Sequence, residues 1–137
     1  SGTAIGATFE DLAALVDGVS KPLRKRVAVC LDTCHAYSAG YDLVNDYDGV
    51  MAKLQDTLGM QRLRVMHLND SKTPFASRRD RHELIGEGSL GDRAFRAIMN
   101  DERLSLIPKV IETPKGADPT ATDAHMLSRL RSYRSTQ

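Results

Sequence analysis

Three short apolar runs, separated by segments of helical periodicity, constrain this chain more than any other feature. Residues 27–32 read Val-Ala-Val-Cys-Leu-Asp, residues 62–69 read Arg-Leu-Arg-Val-Met-His-Leu-Asn, and residues 107–113 read Ile-Pro-Lys-Val-Ile-Glu-Thr. Short runs rich in β-branched residues fit buried strands better than helices. Alternate residues of a strand share a face. That groups Ala28, Cys30 and Asp32, then Leu63, Val65, His67 and Asn69, then Pro108, Val110 and Glu112. A proline at the start of a strand is tolerated.

Helical patterns fill the intervals. Thr8 reads as an N-cap, with Glu10 and Asp11 in the first turn, where the helix dipole favours acids. Phe9, Leu12, Ala13 and Val16 follow at helical spacing, and residues 18–22 end that helix. Residues 33–42, which contain Gly40, read as a loop. Residues 46–58 carry a stripe of Tyr47, Val50, Met51, Leu54 and Leu58, with Gly59 as the C-cap. Asp92 opens a third helix with Phe95, Ile98 and Met99 inward. Thr120 caps a fourth with Met126, Leu127 and Leu130, on which His125 faces outward. The order α-β-α-β-α-β-α implies a parallel sheet built from βα units with right-handed crossovers. Three strands are few for such a sheet, and a helix precedes the first. The expected fold is therefore α/β, one domain over residues 1–137 that is a piece of a larger barrel, with about three strands and four helices.

Composition limits the function classes. A chain of 137 residues with 41% hydrophobic residues has enough apolar side chains for a core. The net charge of +1 is too small to point to nucleic acid or membrane by field alone. Arg78, Arg79 and Arg81 nevertheless cluster in one polar stretch, and Arg129, Arg131 and Arg134 near the C-terminus. No apolar run approaches the roughly 18 residues of a membrane span. Ser1 to Ala4 carry no signal-peptide pattern. Two cysteines, Cys30 and Cys34, suggest a reduced, intracellular setting more than a disulfide framework. Cys30 reads as a small buried apolar residue. Tryptophan is absent and aromatics are 5%, which disfavours a base-stacking platform.

Function in parallel α/β proteins collects at the C-terminal ends of the strands. Asp32, His67 and Glu112 end the three strands, and His35 follows in the first loop. After His67 come about 20 residues without clear periodicity, a length that in compact domains is usually functional. That stretch holds Asp80 and His82, a D-x-H pair whose side chains fall on one side of extended backbone. Each residue alone has a plain reading: a hydrogen-bonded His67, a capping Asp32, an exposed Glu112. Three strands ending together in such groups point to a metal site. Carboxylates and imidazoles without thiolate suit zinc, manganese or iron. Cys30, Cys34 and His35 offer an alternative thiolate site that still needs a fourth ligand. The arginines read as a solvated loop, or beside a metal as a phosphate clamp.

The motifs then match a family. Cys-Leu-Asp-Thr-Cys-His-Ala-Tyr-Ser-Ala-Gly-Tyr-Asp-Leu at 30–43 resembles a signature of the endonuclease IV family of abasic-site endonucleases. His-Leu-Asn-Asp-Ser-Lys at 67–72 and Ser-Arg-Arg-Asp-Arg-His-Glu-Leu-Ile-Gly-Glu-Gly at 77–88 resemble two more, and Ile-Glu-Thr-Pro at 111–114 resembles the last barrel strand. The resemblance extends to about residue 116; the last helix is generic. It implies the C-terminal part of a (β/α)8 TIM barrel, strands six to eight. It also implies three zinc ions in the intact enzyme, and cleavage of DNA on the 5′ side of an abasic site to leave a 3′-hydroxyl. Asp32, His67 and Glu112 correspond to ligands of one zinc. His35, Asp80 and His82 correspond to ligands of another, where manganese is an alternative. A bridging glutamate and two further histidines belong to strands this chain does not contain, and Ser1 to Gly6 resemble the loop after the strand bearing that glutamate. Asn69, Lys72, Arg78 and Arg81 are the candidates for contacting phosphate or orienting ligands.

The resemblance makes abasic double-stranded DNA the expected substrate. It makes the missing half of the barrel, or a second copy, the expected partner, because an open sheet exposes its edges. Two other readings compete. A sugar isomerase or epimerase on the same barrel class also sets His, Asp and Glu at strand ends, but the extra D-x-H site argues against it. A non-catalytic metal-binding half-barrel is the reading outside enzymes.

Overall fold

The structure is a computed structural model and describes residues 5–135, so the expectation for Ser1 to Ala4 lies outside the described residues. Helix α1 (Phe9–Asp17) starts at Thr8 with a reciprocal cap: Asp11 N donates to Thr8 Oγ1 at 3.1 Å, and Thr8 N donates to Asp11 Oδ2 at 3.3 Å. Phe9 and Val16 are buried, with Leu12 and Ala13 packed alongside. Phe9 stacks on Tyr41 at 3.9 Å between ring centroids, and its N–H donates to the Tyr41 hydroxyl. The basic stretch that follows forms a single turn, α2 (Lys21–Arg24), with proline early in it, where a missing N–H costs nothing.

Strands β1 (Val29–Asp32), β2 (Leu63–His67) and β5 (Lys109–Val110) form a parallel sheet in the order β1-β2-β5. Asp32 lies opposite His67, and His67 opposite Val110. Adjacent strands run about 4.8 Å apart, so this register alone brings Asp32, His67 and the approach to Glu112 side by side. One sheet face is the core: Val29, Leu31 and Met66 are buried there. Helices α4 (Tyr47–Thr57), α5 (Gly91–Met99) and α6 (Pro119–Ser132) contribute Leu54, Phe95 and Met126 to the same cluster. Parallel strands alternating with helices that cover one face are the arrangement of part of a (β/α)8 barrel.

Several elements differ from the sequence expectation. Residues 33–42 are not all loop: α3 (Thr33–Ser38) begins directly at the end of β1, capped by Asp32 itself. Among the described residues there are six α-helices, two of them short, and a two-stranded antiparallel pair, β3 (Asp70–Ser71) and β4 (His82–Glu83), joins the three parallel strands. The third strand is shorter than residues 107–113. Leu68 N still donates to Val110 O at 2.8 Å, but Glu112 N donates instead to the Asn69 side chain, which ends the ladder. The last helix is capped by Asp118, two residues before Thr120, because Asp118 Oδ1 takes the Ala121 N–H. Leu58 is the C-cap of α4, and Gly59 follows it with φ +84°.

Cys30 is exposed rather than buried. It sits on the face opposite Val29 and Leu31, which nothing covers among the described residues, and Val110 is likewise exposed. Cys34 is fully buried in α3, its thiol pushed up to about 11 chiefly by that burial. Iodoacetamide is therefore expected to label one thiol per native chain, Cys30, and to reach Cys34 only after denaturation. Peptide mass spectrometry reads this directly, and equal labelling of both native thiols contradicts the packing of α3.

Candidate metal centre

The site is built on one hydrogen-bonded knot. Asp32 Oδ1 accepts from His35 N at 2.9 Å and so caps α3. This leaves Asp32 Oδ2 to accept from Asn69 Nδ2 at 2.9 Å and to face His67 Nδ1 and His82 Nε2, each at 3.8 Å. Asn69 is wholly buried at the centre of the knot. Its Oδ1 accepts from Glu112 N at 2.8 Å, its N–H donates to Thr33 Oγ1, and its carbonyl takes the Thr33 hydroxyl proton. Asn69 thereby fixes the ends of all three parallel strands to one another. Asn69, expected to contact phosphate or orient ligands, is buried and bonds the Asp32 carboxylate and the Glu112 backbone N–H.

His67 Nδ1 lies 3.1 Å from Glu112 Oε2. His82 Nδ1 is 3.0 Å from the Glu112 carbonyl oxygen. A carbonyl only accepts, so Nδ1 is the donor there, and Nε2 faces Asp80 Oδ1 at 3.2 Å. His35 Nδ1 lies 3.8 Å from Asp80 Oδ2. All six strand-end and loop residues singled out in the sequence thus meet. They form one continuous cluster rather than two separate triads, and His82 is the link. Donor atoms of Asp32, His82 and Glu112 lie within 4.8 Å of one another, as do those of Cys34, Asp80 and His82. The Cys34 thiol donates to the Arg81 carbonyl, and Cys30 belongs to neither group, so the alternative Cys30–Cys34–His35 set is not assembled among the described residues.

Two observations test whether these side chains fit a cation. Asp80 Oδ1 is buried without a hydrogen-bond partner; His82 Nε2 is near but poorly aligned for one. Three carboxylates, Asp32, Asp80 and Glu112, also crowd three imidazoles with no lysine or arginine within ion-pair distance among the described residues. An unpaired buried carboxylate oxygen is costly, and a divalent cation answers both features. The cluster opens to solvent on one side, from 16% exposure at Asp32 to 51% at Glu112. A cavity of about 230 Å³, lined in part by Gly6, Phe9, Cys30, Asp32 and His35, adjoins it.

The D-x-H pair is held by a residue that sequence reasoning missed. Asp70 is fully buried, and its carboxylate accepts five backbone N–H groups. Oδ1 takes Ser71 at 2.8 Å and Leu90 at 2.9 Å; Oδ2 takes Gly86, Gly88 and Gly91 at 2.9, 3.0 and 3.2 Å. The same residue pairs with Glu83 across β3–β4, while Ser71 pairs with His82. The signal was present as Gly86, Gly88 and Gly91, which allow the backbone to wrap the carboxylate. Gly86 and Gly91 have positive φ, and a Cβ on Gly88 would run into the Ser71 carbonyl and the Asp70 carboxylate. Lys72, Arg78 and Arg81 lie on the hairpin that carries the pair, Lys72 and Arg81 exposed and Arg78 in the same polar tip.

Parallel strands whose C-terminal ends converge on carboxylates and imidazoles define a segment of a metal-centre barrel. The chain belongs to the xylose isomerase-like TIM barrel family, whose description matches residues 1–132. Its relatives there bear out the resemblance to endonuclease IV. "Probable endonuclease 4" of Akkermansia muciniphila is 53% identical over 114 residues, and that of Alkaliphilus oremlandii 45% over 126, covering 83% and 92% of this chain. The crystal structure of endonuclease IV from Thermus thermophilus superposes with a TM-score of 0.83 at 38% identity, over 97% of this chain and 46% of that one. The chain spans 40% and 44% of those two curated relatives.

Proposed function

We propose that this chain is the C-terminal part, strands six to eight, of a zinc-dependent endonuclease that cuts DNA on the 5′ side of abasic sites. The observation that carries the reading is the convergence of six ligand-type side chains with an orphaned Asp80 oxygen and no basic counter-charge. Asp32, His67 and Glu112 would hold one zinc, and His35, Asp80 and His82 another; manganese is the alternative at the second. Bound zinc supplies Lewis-acid activation of water near neutral pH and neutralises phosphate charge. The chain's own residues prepare that chemistry. Asn69 keeps Asp32 and Glu112 aimed inward, and the Glu112 carbonyl fixes the His82 tautomer. Lys72, Arg78 and Arg81 stand on the adjoining hairpin, available to a DNA backbone. The substrate is double-stranded abasic DNA, and the setting is base-excision repair inside the cell. The rest of the barrel is the partner that completes the ligand set, so the chain alone is expected to incise abasic duplex too slowly to detect.

Elemental analysis tests the metal centre. After dialysis against zinc and then metal-free buffer, the purified chain should retain at least one zinc, and Asp80→Ala and His82→Ala should retain less. A parent chain that keeps no divalent ion overturns the reading.

A further inference from the structure

The carboxyl ends of the three parallel strands carry the metal-ligand side chains. Their amino ends carry a second set of groups that the metal centre does not use. Lys25 and Arg26 precede β1, Arg62 and Arg64 flank Leu63 at the start of β2, and all four line one cavity of about 480 Å³. None of the four pairs with a carboxylate among the described residues. Arg62 is held by neutral partners: its Nη1 donates to the Arg24 carbonyl at 2.8 Å and to the Val27 carbonyl at 3.1 Å. Arg24 in turn donates to the carbonyls of Asp17 and Val19. Carbonyls position a guanidinium without cancelling its charge, so this end of the sheet keeps an unbalanced positive field.

An aliphatic groove adjoins the cations. Gln61 and Arg64 line both that cavity and a second of about 330 Å³, whose walls include Met60, Leu63, Ile107 and Pro108. Leu106 also lines it and is 95% exposed, the most exposed large hydrophobic side chain among the described residues. A single exposed leucine is ordinary. This one stands on a turn that is tied down. Ile107 N donates to the Leu104 carbonyl at 3.1 Å, the Lys109 ammonium donates to the carbonyls of Leu104 and Ile107, and Leu104 itself is fully buried. A fixed leucine in an aliphatic groove beside unpaired cations has the make-up of a protein interface, an apolar centre with a charged rim. The same features choose among partners. No aromatic ring lines either cavity to stack on a base. Leu63 and His67 are the two ends of β2, about 13 Å apart, so a duplex seated on the metal ligands lies at the other end of the sheet. A bilayer takes up projecting apolar residues on an open face, whereas these cations and aliphatic groups line concave walls.

We infer that the amino-terminal end of the sheet is a docking groove for an acidic, amphipathic segment of a partner protein. Carboxylates of that segment pair with Lys25, Arg26, Arg62 and Arg64, and one of its aliphatic side chains fills the cavity beside Leu106 and Pro108. The groove stands apart from the DNA substrate proposed above, and partner and metal occupy opposite ends of the same strands.

Fluorescence anisotropy on the zinc-saturated chain tests it. The probe is a labelled helical peptide of about 15 residues, with leucines at i, i+4, i+7 and i+11 on one face and glutamates elsewhere. The parent should bind it in the micromolar range, and less tightly as salt rises. The double variant Arg26→Glu, Arg64→Glu should weaken binding by about tenfold or more, and Leu106→Asp by about fivefold or more. A peptide with serine at every leucine should lose about fivefold on the parent and nothing further on Leu106→Asp. All three substituted side chains are exposed, so circular dichroism and zinc content of the variants should match the parent. A loss with zinc retained then belongs to the groove and not to glutamates seated on the metal centre. No binding tighter than about 1 mM, or binding that neither variant weakens, overturns the inference. So does a single-stranded oligonucleotide of equal charge, or a phosphatidylserine vesicle, that binds as tightly and is weakened by the same variants. Elution of the parent as a dimer that Leu106→Asp dissociates also overturns it, because a second copy then fills the groove.

Discussion

Asp70→Ala is expected to cost the chain about 3–5 kcal/mol of stability, because five backbone donors lose a buried charged acceptor at once. Against a typical total of about 5–15 kcal/mol, that loss leaves the variant partly unfolded at ordinary temperature. Asp70→Asn keeps the shape but turns an amide group towards N–H donors, so it should fall between the two. Gly88→Ala approaches the same nest from the other side, since its Cβ has no room between Ser71 and Asp70. Urea unfolding followed by circular dichroism measures all three. An Asp70→Ala variant within about 1 kcal/mol of the parent would show that the loop does not depend on the carboxylate, contrary to its hydrogen bonds.

Asp70 also marks where the sequence stops being readable. The strands, the four longer helices and the identity of the ligand-type residues follow from local pattern: β-branched runs, i, i+3, i+4 stripes, and acids or histidines at strand ends. The parallel register follows from the alternation of elements. What pattern does not reveal is where a polar side chain aims. Asp70 sits beside Asn69 in the chain, yet their jobs differ: one gathers amides 16 to 21 residues away, the other joins three strand ends. Asp32 reads as ligand or cap; in the structure one oxygen caps α3 and the other accepts from Asn69 and faces His67 and His82. The start of α3 at Thr33 is hidden in the sequence because its cap is also the last strand residue. Cys30 reads as buried from its apolar character, whereas the face it occupies has no cover among the described residues.

The same side-chain aim decides the second large effect. If His82 belongs to only one ligand triad, its loss should spare the other. In the structure its Nε2 faces both Asp80 Oδ1 and Asp32 Oδ2, and it is common to both groups of clustered donors. Zinc that binds the folded chain and not the unfolded one stabilises it by about 2.7 kcal/mol at a hundredfold excess over the dissociation constant. For a chain of this length that is a rise of roughly 10 °C in melting temperature. His82→Ala is expected to lower the rise most, because it takes a ligand from one triad and removes the imidazole that faces Asp32 of the other. Asp80→Ala should reduce it, because Asp32, His67, His82 and Glu112 remain together. Melting curves with zinc and with a chelator separate the cases. Equal residual stabilisation in both variants would mean that the two triads act independently, and that the contact of His82 with Asp32 has no part in holding metal.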